Sequence, residues 1–211
     1  MATLTMSDAA PRTGQEATTP HERIVDATVR CIARWGLAKT TLDDIAREAG
    51  VSRATVYRSF PGGKDTVVRA AVAAEVQSFL DGLADRLRGA ADLEDLLVAG
   101  ITCTSRALRG HEALQTLLLH EPEVVLPHLS FGAYDRLLAA AGEWARPWLA
   151  PHVGDEVALR AGEWVARLVL SYTLSPSPSF DLAEQADARR FTKSFLLPGL
   201  RPVQHASAPE R

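Results

Sequence analysis

Three observations predict an all-α fold. Apolar residues recur at spacings of three and four through most of the 211 residues, the period of helices that bury one face. No stretch alternates apolar and polar residues long enough to form a sheet. Clusters of Gly, Pro and Ser separate the periodic stretches, and these residues end helices and begin turns. The expected organisation is a disordered arm over residues 1–18, a small helical domain over 19–64 and a larger one over 65–211. The arm is assigned because 1–18 is rich in Ala, Thr, Ser and Gly and lacks apolar periodicity.

Thr19-Pro20-His21-Glu22 is a helix start. Thr19 can cap, Pro20 suits the first helical position, and Glu22 stands three residues after the cap. This first helix should run to Trp35 and stop at Gly36. Two short helices follow over about 42–49 and 52–59. After Pro61-Gly62-Gly63 a long helix should begin near Lys64, continue through Val67, Val68, Ala71 and Val76, and connect the two domains. Further helices are expected near 92–109, 111–119, 131–149, 154–174 and 181–197. Their boundaries are Gly110, Pro122, Gly154 and Ser175-Pro176-Ser177-Pro178. The segment holding Glu121, Glu123 and His128 flanks Pro122 and Pro127 and reads as a loop with solvated acids.

Residues 41–60, TLDDIAREAGVSRATVYRSF, carry the most specific functional signal. Thr41 can cap the first of the short helices, with Asp44 completing a capping-box-like pair. Leu42, Ile45, Ala46 and Ala49 share one face. Gly50 suits a left-handed turn residue, Ser52 can cap the second helix, and Val51 with Val56 forms a hydrophobic staple. On the second helix Val56 and Phe60 point to the core, which leaves Ala54, Thr55, Tyr57 and Arg58 outward. A small residue, a hydroxyl, a phenol and a guanidinium on one exposed face suit close approach to a polyanion. Arg53 and Arg58 could reach guanine edges, whereas Thr41, Tyr57 and Lys64 sit at helix ends or flanks that would face phosphates.

The series Thr41-Leu42-x-x-Ile45-Ala46-x-x-Ala49-Gly50-Val51-Ser52-x-x-Thr55-Val56-Tyr57-x-x-Phe60 resembles the helix-turn-helix signature of the TetR family of bacterial transcriptional regulators. The likeness runs from about Thr19 to Val72, and the rest of the chain fits by length and helical character. Members often have an aromatic residue or His where Ser59 stands, and the spacing from Phe60 to Lys64 is one residue longer than usual. The resemblance implies DNA contacts from Thr41, Ser52, Arg53, Ala54, Thr55, Tyr57, Arg58 and Lys64. It also implies a pocket for a small, often hydrophobic effector in the second domain, with Thr104, Ser105, Leu118, His120, Phe131, Tyr134 and Trp164 as candidate lining. It further implies a homodimer joined through the last helices. Trp164, Leu168, Tyr172, Phe191 and Phe195 follow helical spacing there, although packing within one domain would give the same pattern.

The charge is uneven. The chain carries a net charge of −3, yet residues 20–64 hold eight Lys/Arg against five Asp/Glu, a local +3 that leaves −6 on the remainder. A basic module on an acidic body suits a protein that meets phosphates at one end. No apolar run approaches the roughly 20 residues of a membrane span, and the N-terminus has no signal-peptide pattern, so a cytoplasmic location is expected. Cys31 and Cys103 form no CxxC pair, which argues against a zinc ribbon or a disulfide framework. Cys31 shares a helix face with Ile24, Ala27 and Trp35 and should be a buried small hydrophobe.

Catalytic and metal readings find little support. His111-Glu112 begins like a zinc-protease helix, but position 115 is Gln, and the phosphate-loop, GxGxxG and GxSxG patterns are absent. No enzyme activity, metal or cofactor is expected. The reading favoured is a homodimeric repressor that binds a palindromic double-stranded operator and is released by a small molecule. The alternative is an all-α carrier whose helix-turn-helix-like segment is purely structural.

Overall fold

The computed structural model describes residues 19–129 and 131–200, without the side chains of His128, Leu129 and Phe131. The arm expected over 1–18 lies outside these residues. All regular structure among the described residues is helical. The elements are α1 (Pro20–Trp35), α2 (Leu42–Ala49), α3 (Arg53–Ser59), α4 (Lys64–Leu87), α5 (Leu93–Gly110), α6 (Glu112–His120), α7 (Pro122–Val125), α8 (Phe131–Val153), α9 (Asp155–Leu174), α10 (Gln185–Phe191) and α11 (Leu197–Leu200). A 3-10 turn over Leu126–Leu129 follows α7, and a π-helical stretch over Thr192–Leu196 joins α10 to α11.

The caps at the front of the chain follow from the sequence. The Thr19 hydroxyl accepts from the Glu22 amide at 3.2 Å, while Glu22 Oε2 accepts from the Thr19 amide at 2.7 Å. The same reciprocal pair joins Thr41 and Asp44 at the head of α2. Gly50 ends α2 at φ 63° and ψ 37°, where its lack of Cβ removes the penalty of a left-handed residue.

Two apolar cores organise the molecule. Ile24, Ala27, Cys31, Ile45, Val56, Phe60, Val67 and Ala71 pack between α1, α2, α3 and the front of α4. Complete burial of Ile24, Ile45 and Val56 contributes about 1.5–3 kcal/mol each. Leu83, Leu87, Leu97, Ile101, Leu149, Val169, Phe191 and Leu196 form the second core, from the rear of α4 to the end of the chain. Helix α4 therefore serves both. Cys31 lies in the first core at 1% exposure, and burial pushes its thiol pKa up.

Helices α8 and α9 fold back on one another around Gly154. Two glycines face each other in this packing, where a Cβ on Gly162 would lie 2.9 Å from Cα of Gly142 and 2.9 Å from Cβ of Ala145.

Three local expectations are corrected. The segment read as a loop after His120 is instead α7 and a 3-10 turn. Pro122 opens α7 at a position that needs no amide donor. Glu121, expected in water, is 8% exposed and accepts hydrogen bonds from backbone amides. The helix expected over 181–197 begins at Gln185, because residues 181–184 form a turn instead. In that turn Asp181 Oδ1 accepts from the Ala183 amide at 2.9 Å, and the Asp181 amide donates to Asp187 at 2.9 Å. Helix α8 also runs to Val153, through Pro147 and Pro151. Four residues apart, both prolines lie on its exposed side, where carbonyls left without amide partners can meet water.

Candidate nucleic-acid interface

Helix α3 is oriented by its two apolar anchors. Val56 is fully buried and Phe60 is 3% exposed, so Arg53, Ala54, Tyr57 and Arg58 are left on the outer face. Ser52 caps the helix by accepting from the Thr55 amide at 3.1 Å, and its Oγ lies 2.9 Å from the Thr55 hydroxyl. Those two hydroxyls engage each other at the helix N-terminus, where backbone N–H groups favour an anion.

Arg53 is held by neighbours on two helices. Nη1 donates to Asp43 Oδ2 at 2.9 Å, Nη2 donates to Tyr57 Oη at 3.3 Å, and the guanidinium carbon lies 5.5 Å from the centroid of the Tyr57 ring. The Tyr57 hydrogen bond and the Asp43 charge raise its pKa, so the group is a fixed cation. Arg58 is exposed and makes no ion pair among the described residues.

Thr41 and Lys64 both already have hydrogen-bond partners within the chain. The Thr41 hydroxyl donates to Asp44 Oδ2 at 2.6 Å. That hydroxyl, then the Thr41 amide, then the Arg47 charge hold the Asp44 carboxyl below the ordinary aspartate range. Lys64 is half-buried, and its Nζ donates to the Leu37 carbonyl at 2.6 Å. A phosphate contact from Lys64 therefore requires it to leave that carbonyl.

The residues expected to line an effector pocket are spread over four helices. Thr104 and Ser105 lie on α5, Leu118 and His120 on α6, Tyr134 on α8 and Trp164 on α9, while the side chain of Phe131 lies outside the described set. Ser105 is 2% exposed, with a hydroxyl that finds no partner among the described residues. His120 is exposed, and Arg167 lies over the Tyr134 ring. A cavity of about 850 Å³ opens instead between α1 and the α5–α6 corner, with Val29, Arg34, Trp35, Glu75, Arg106 and His111 in its wall. A second, of about 690 Å³, lies between the end of α4, α5 and α10, with Arg86, Val98, Thr102, Arg106 and Arg189 in its wall. Neither is lined by Thr104, Ser105, Leu118, His120, Tyr134 or Trp164.

The residues expected at a subunit interface are divided. Phe191 is buried against Tyr172 and Phe180, with ring centroids 5.3 Å away in each case. Leu168 and Tyr172 are half-buried against the second core. Trp164 and Phe195 remain 38% and 52% exposed.

The helix-turn-helix geometry agrees with the comparisons. The family described as bacterial regulatory proteins, tetR family, matches residues 24–71. An uncharacterised HTH-type transcriptional regulator of Mycobacterium bovis is 30% identical over 164 residues, covering 77% of this chain and 82% of that protein. The chain belongs to the TetR family. A further match is to the HTH-type transcriptional regulator SrpR of Pseudomonas putida, which is 42% identical over 64 residues, 30% of this chain and 30% of that one.

Solved structures share the fold. The TetR family repressor AlkX from Dietzia sp. aligns with a TM-score of 0.58 at 22% identity, covering 83% of this chain and 92% of AlkX. The multidrug binding protein EbrR, complexed with imidazole, gives 0.59 at 21% identity over 90% and 99% of the two chains. This TetR-family protein is thus a transcriptional regulator with an N-terminal helix-turn-helix and a following helical domain. No helix of the described residues is long and apolar enough to cross a membrane.

The residues that sequence reasoning missed join α6 to the front of the chain. Thr116 Oγ1 donates to the Ala33 carbonyl at 2.8 Å, and Glu121 accepts from the amides of Leu37 and Ala38. These contacts span more than 80 residues of sequence, so no local pattern announces them.

Proposed function

We propose that this regulator is a cytoplasmic homodimeric repressor. Each α3 enters the major groove of one half of a two-fold symmetric operator, and a small molecule with an apolar body releases the complex. The observation that carries this reading is the outward face of α3, where Arg53, Ala54, Tyr57 and Arg58 stand clear of the core. Pairing two such helices reads enough base pairs for specificity, which one helix does not. The division proposed is a DNA-binding unit over 19–64 and an effector and dimer unit over 65–211. The larger cavity sets the apolar Val29, Ala33, Trp35, Ala107 and Ala113 beside Arg34, Glu75, Arg106 and His111, a mixed wall that supports an effector with an apolar body and polar substituents.

The test is selection of duplexes from a random pool by the purified full-length protein, followed by titration at several salt concentrations. A repressor of this kind selects a symmetric sequence and loses affinity steeply with salt. Alanine variants of Arg53, Arg58 and Lys64 then separate base reading from phosphate contact. Loss of a bidentate arginine–guanine contact relaxes preference at one base pair, whereas loss of Lys64 weakens all sequences alike. A carrier with a structural helix-turn-helix would select no sequence.

A further inference from the structure

The loop between α1 and α2 is gripped from both sides. On one side is Glu121, at the elbow between α6 and α7 and 8% exposed. Its Oε2 accepts from the Leu37 amide at 3.0 Å and from the Ala38 amide at 3.0 Å, and Oε1 lies 3.2 Å from the Ala38 amide. On the other side Lys64, the first residue of α4, donates to the Leu37 carbonyl at 2.6 Å. The chain reaches this loop through Gly36 at φ 79°, and a Cβ on Gly36 would overlap Glu121 Oε1. Three residues beyond Ala38, Thr41 caps α2. A carboxylate from the effector-side helices thus holds the segment from which the helix-turn-helix is hung.

We propose that Glu121 is the positioning residue that fixes the pose of α2 and α3 relative to the effector-side helices, so that a shift of the α6–α7 elbow reaches the DNA surface through residues 36–40. The chemistry makes this link discrete. A largely buried carboxylate must keep hydrogen-bond donors, and two adjacent amides satisfy it in one geometry. The elbow either carries the loop with it or releases it. Thr116 on the Ala33 carbonyl ties the same helix to the end of α1, so the last turn of α1 and the loop that follows it are both fastened to α6 and its elbow.

The proposal deepens the repressor reading, and its test has one arm that needs no DNA. In full-length protein with Cys103→Ser, spin labels are placed at Arg47→Cys on α2 and Glu156→Cys on α9, both exposed positions. Labelled chains are diluted into unlabelled protein, and the interlabel distance is measured by pulsed electron resonance. The native background should give one narrow distribution. Glu121→Ala should broaden or shift it, Gly36→Ala should do the same from the opposite side of the contact, and Glu121→Gln should narrow it again, because an amide oxygen still accepts from one N–H. A native distribution in Glu121→Ala overturns the proposal, since Glu121 would then be no more than a cap for its loop.

In the second arm, native and variant proteins bind duplexes whose two selected half-sites are separated by stepwise longer spacers. Glu121→Ala should lose about tenfold at the preferred spacer, within the usual range for coupling between sites, and less at its neighbours. Equal proportional loss at every spacer contradicts a positioning role. Selection of no paired half-sites by the native protein would defeat the repressor reading alone, leaving the distance measurement to decide the role of Glu121.

Discussion

Arg53 and Tyr57 stand one helical turn apart on the outer face of α3, with Nη2 of the arginine 3.3 Å from the phenol oxygen and its guanidinium over the ring. Asp43 on α2 holds the other side of the same guanidinium. Asp43 and Tyr57 take one N–H from each Nη and fix where the guanidinium points, so turning it toward a guanine edge competes with both partners. Asp43→Asn is therefore expected to raise affinity for the selected duplex a few-fold, most clearly at low salt, and Arg53→Ala to lower discrimination at one base pair about tenfold or more. Fluorescence anisotropy with single-base variants reads both. Unchanged affinity in Asp43→Asn would mean that the pair survives on DNA.

The crossing of α8 and α9 gives a prediction of sign. In an exposed helix Gly→Ala stabilises by about 0.8–1 kcal/mol, and Gly82 on α4 has open space for a Cβ. Gly82→Ala should raise the urea midpoint accordingly. At Gly162 the added Cβ would press on Gly142 and Ala145, so Gly162→Ala should destabilise by about 1–3 kcal/mol in spite of its better helix propensity. Equal stabilisation by both substitutions would show that the two helices separate without cost.

Subunit assembly is tested most cleanly at Phe195. Leu168 packs on the second core, so a charge there threatens the fold as well as any interface. Phe195 is 52% exposed, although its ring meets Phe180 and Phe191 at 5.8 and 5.2 Å. Phe195→Lys should leave the circular dichroism spectrum unchanged and move the protein toward monomers in sedimentation velocity. A dimer of native strength in that variant would place the interface on another face.

Acid should loosen the head of α2 by a route that can be assigned. Asp44 has a folded pKa below its unfolded value, because its charged form accepts from the Thr41 hydroxyl and amide. Its contribution is therefore present above the ordinary aspartate value of about 4 and is lost as pH falls through the lower folded value. Asp44→Asn should lower stability at pH 7 and narrow its gap to the native protein at pH 3. A gap independent of pH between those limits would assign the loss to geometry rather than charge.

The sequence by itself determined what depends on neighbours within one or two turns. The reciprocal caps at Thr19 and Thr41, the left-handed Gly50 and the inward Val56 with the outward Tyr57 and Arg58 are all fixed by residues close along the chain, so the helix-turn-helix was legible before any coordinates. Pro122 reads locally as a stop and in fact begins a helical turn, since a proline that ends one helix can equally start the next. Only the tertiary structure decided which polar groups would be withdrawn from water. It buried Glu121 on the amides of Leu37 and Ala38, turned Lys64 to a carbonyl and set Gly142 against Gly162. It also opened cavities between α1 and the α5–α6 corner and beside α10, neither of them walled by the residues expected to line one. Local periodicity states which face of a helix is apolar, but the partner of that face, and the space left between helices, depend on how chain segments dozens of residues apart come together.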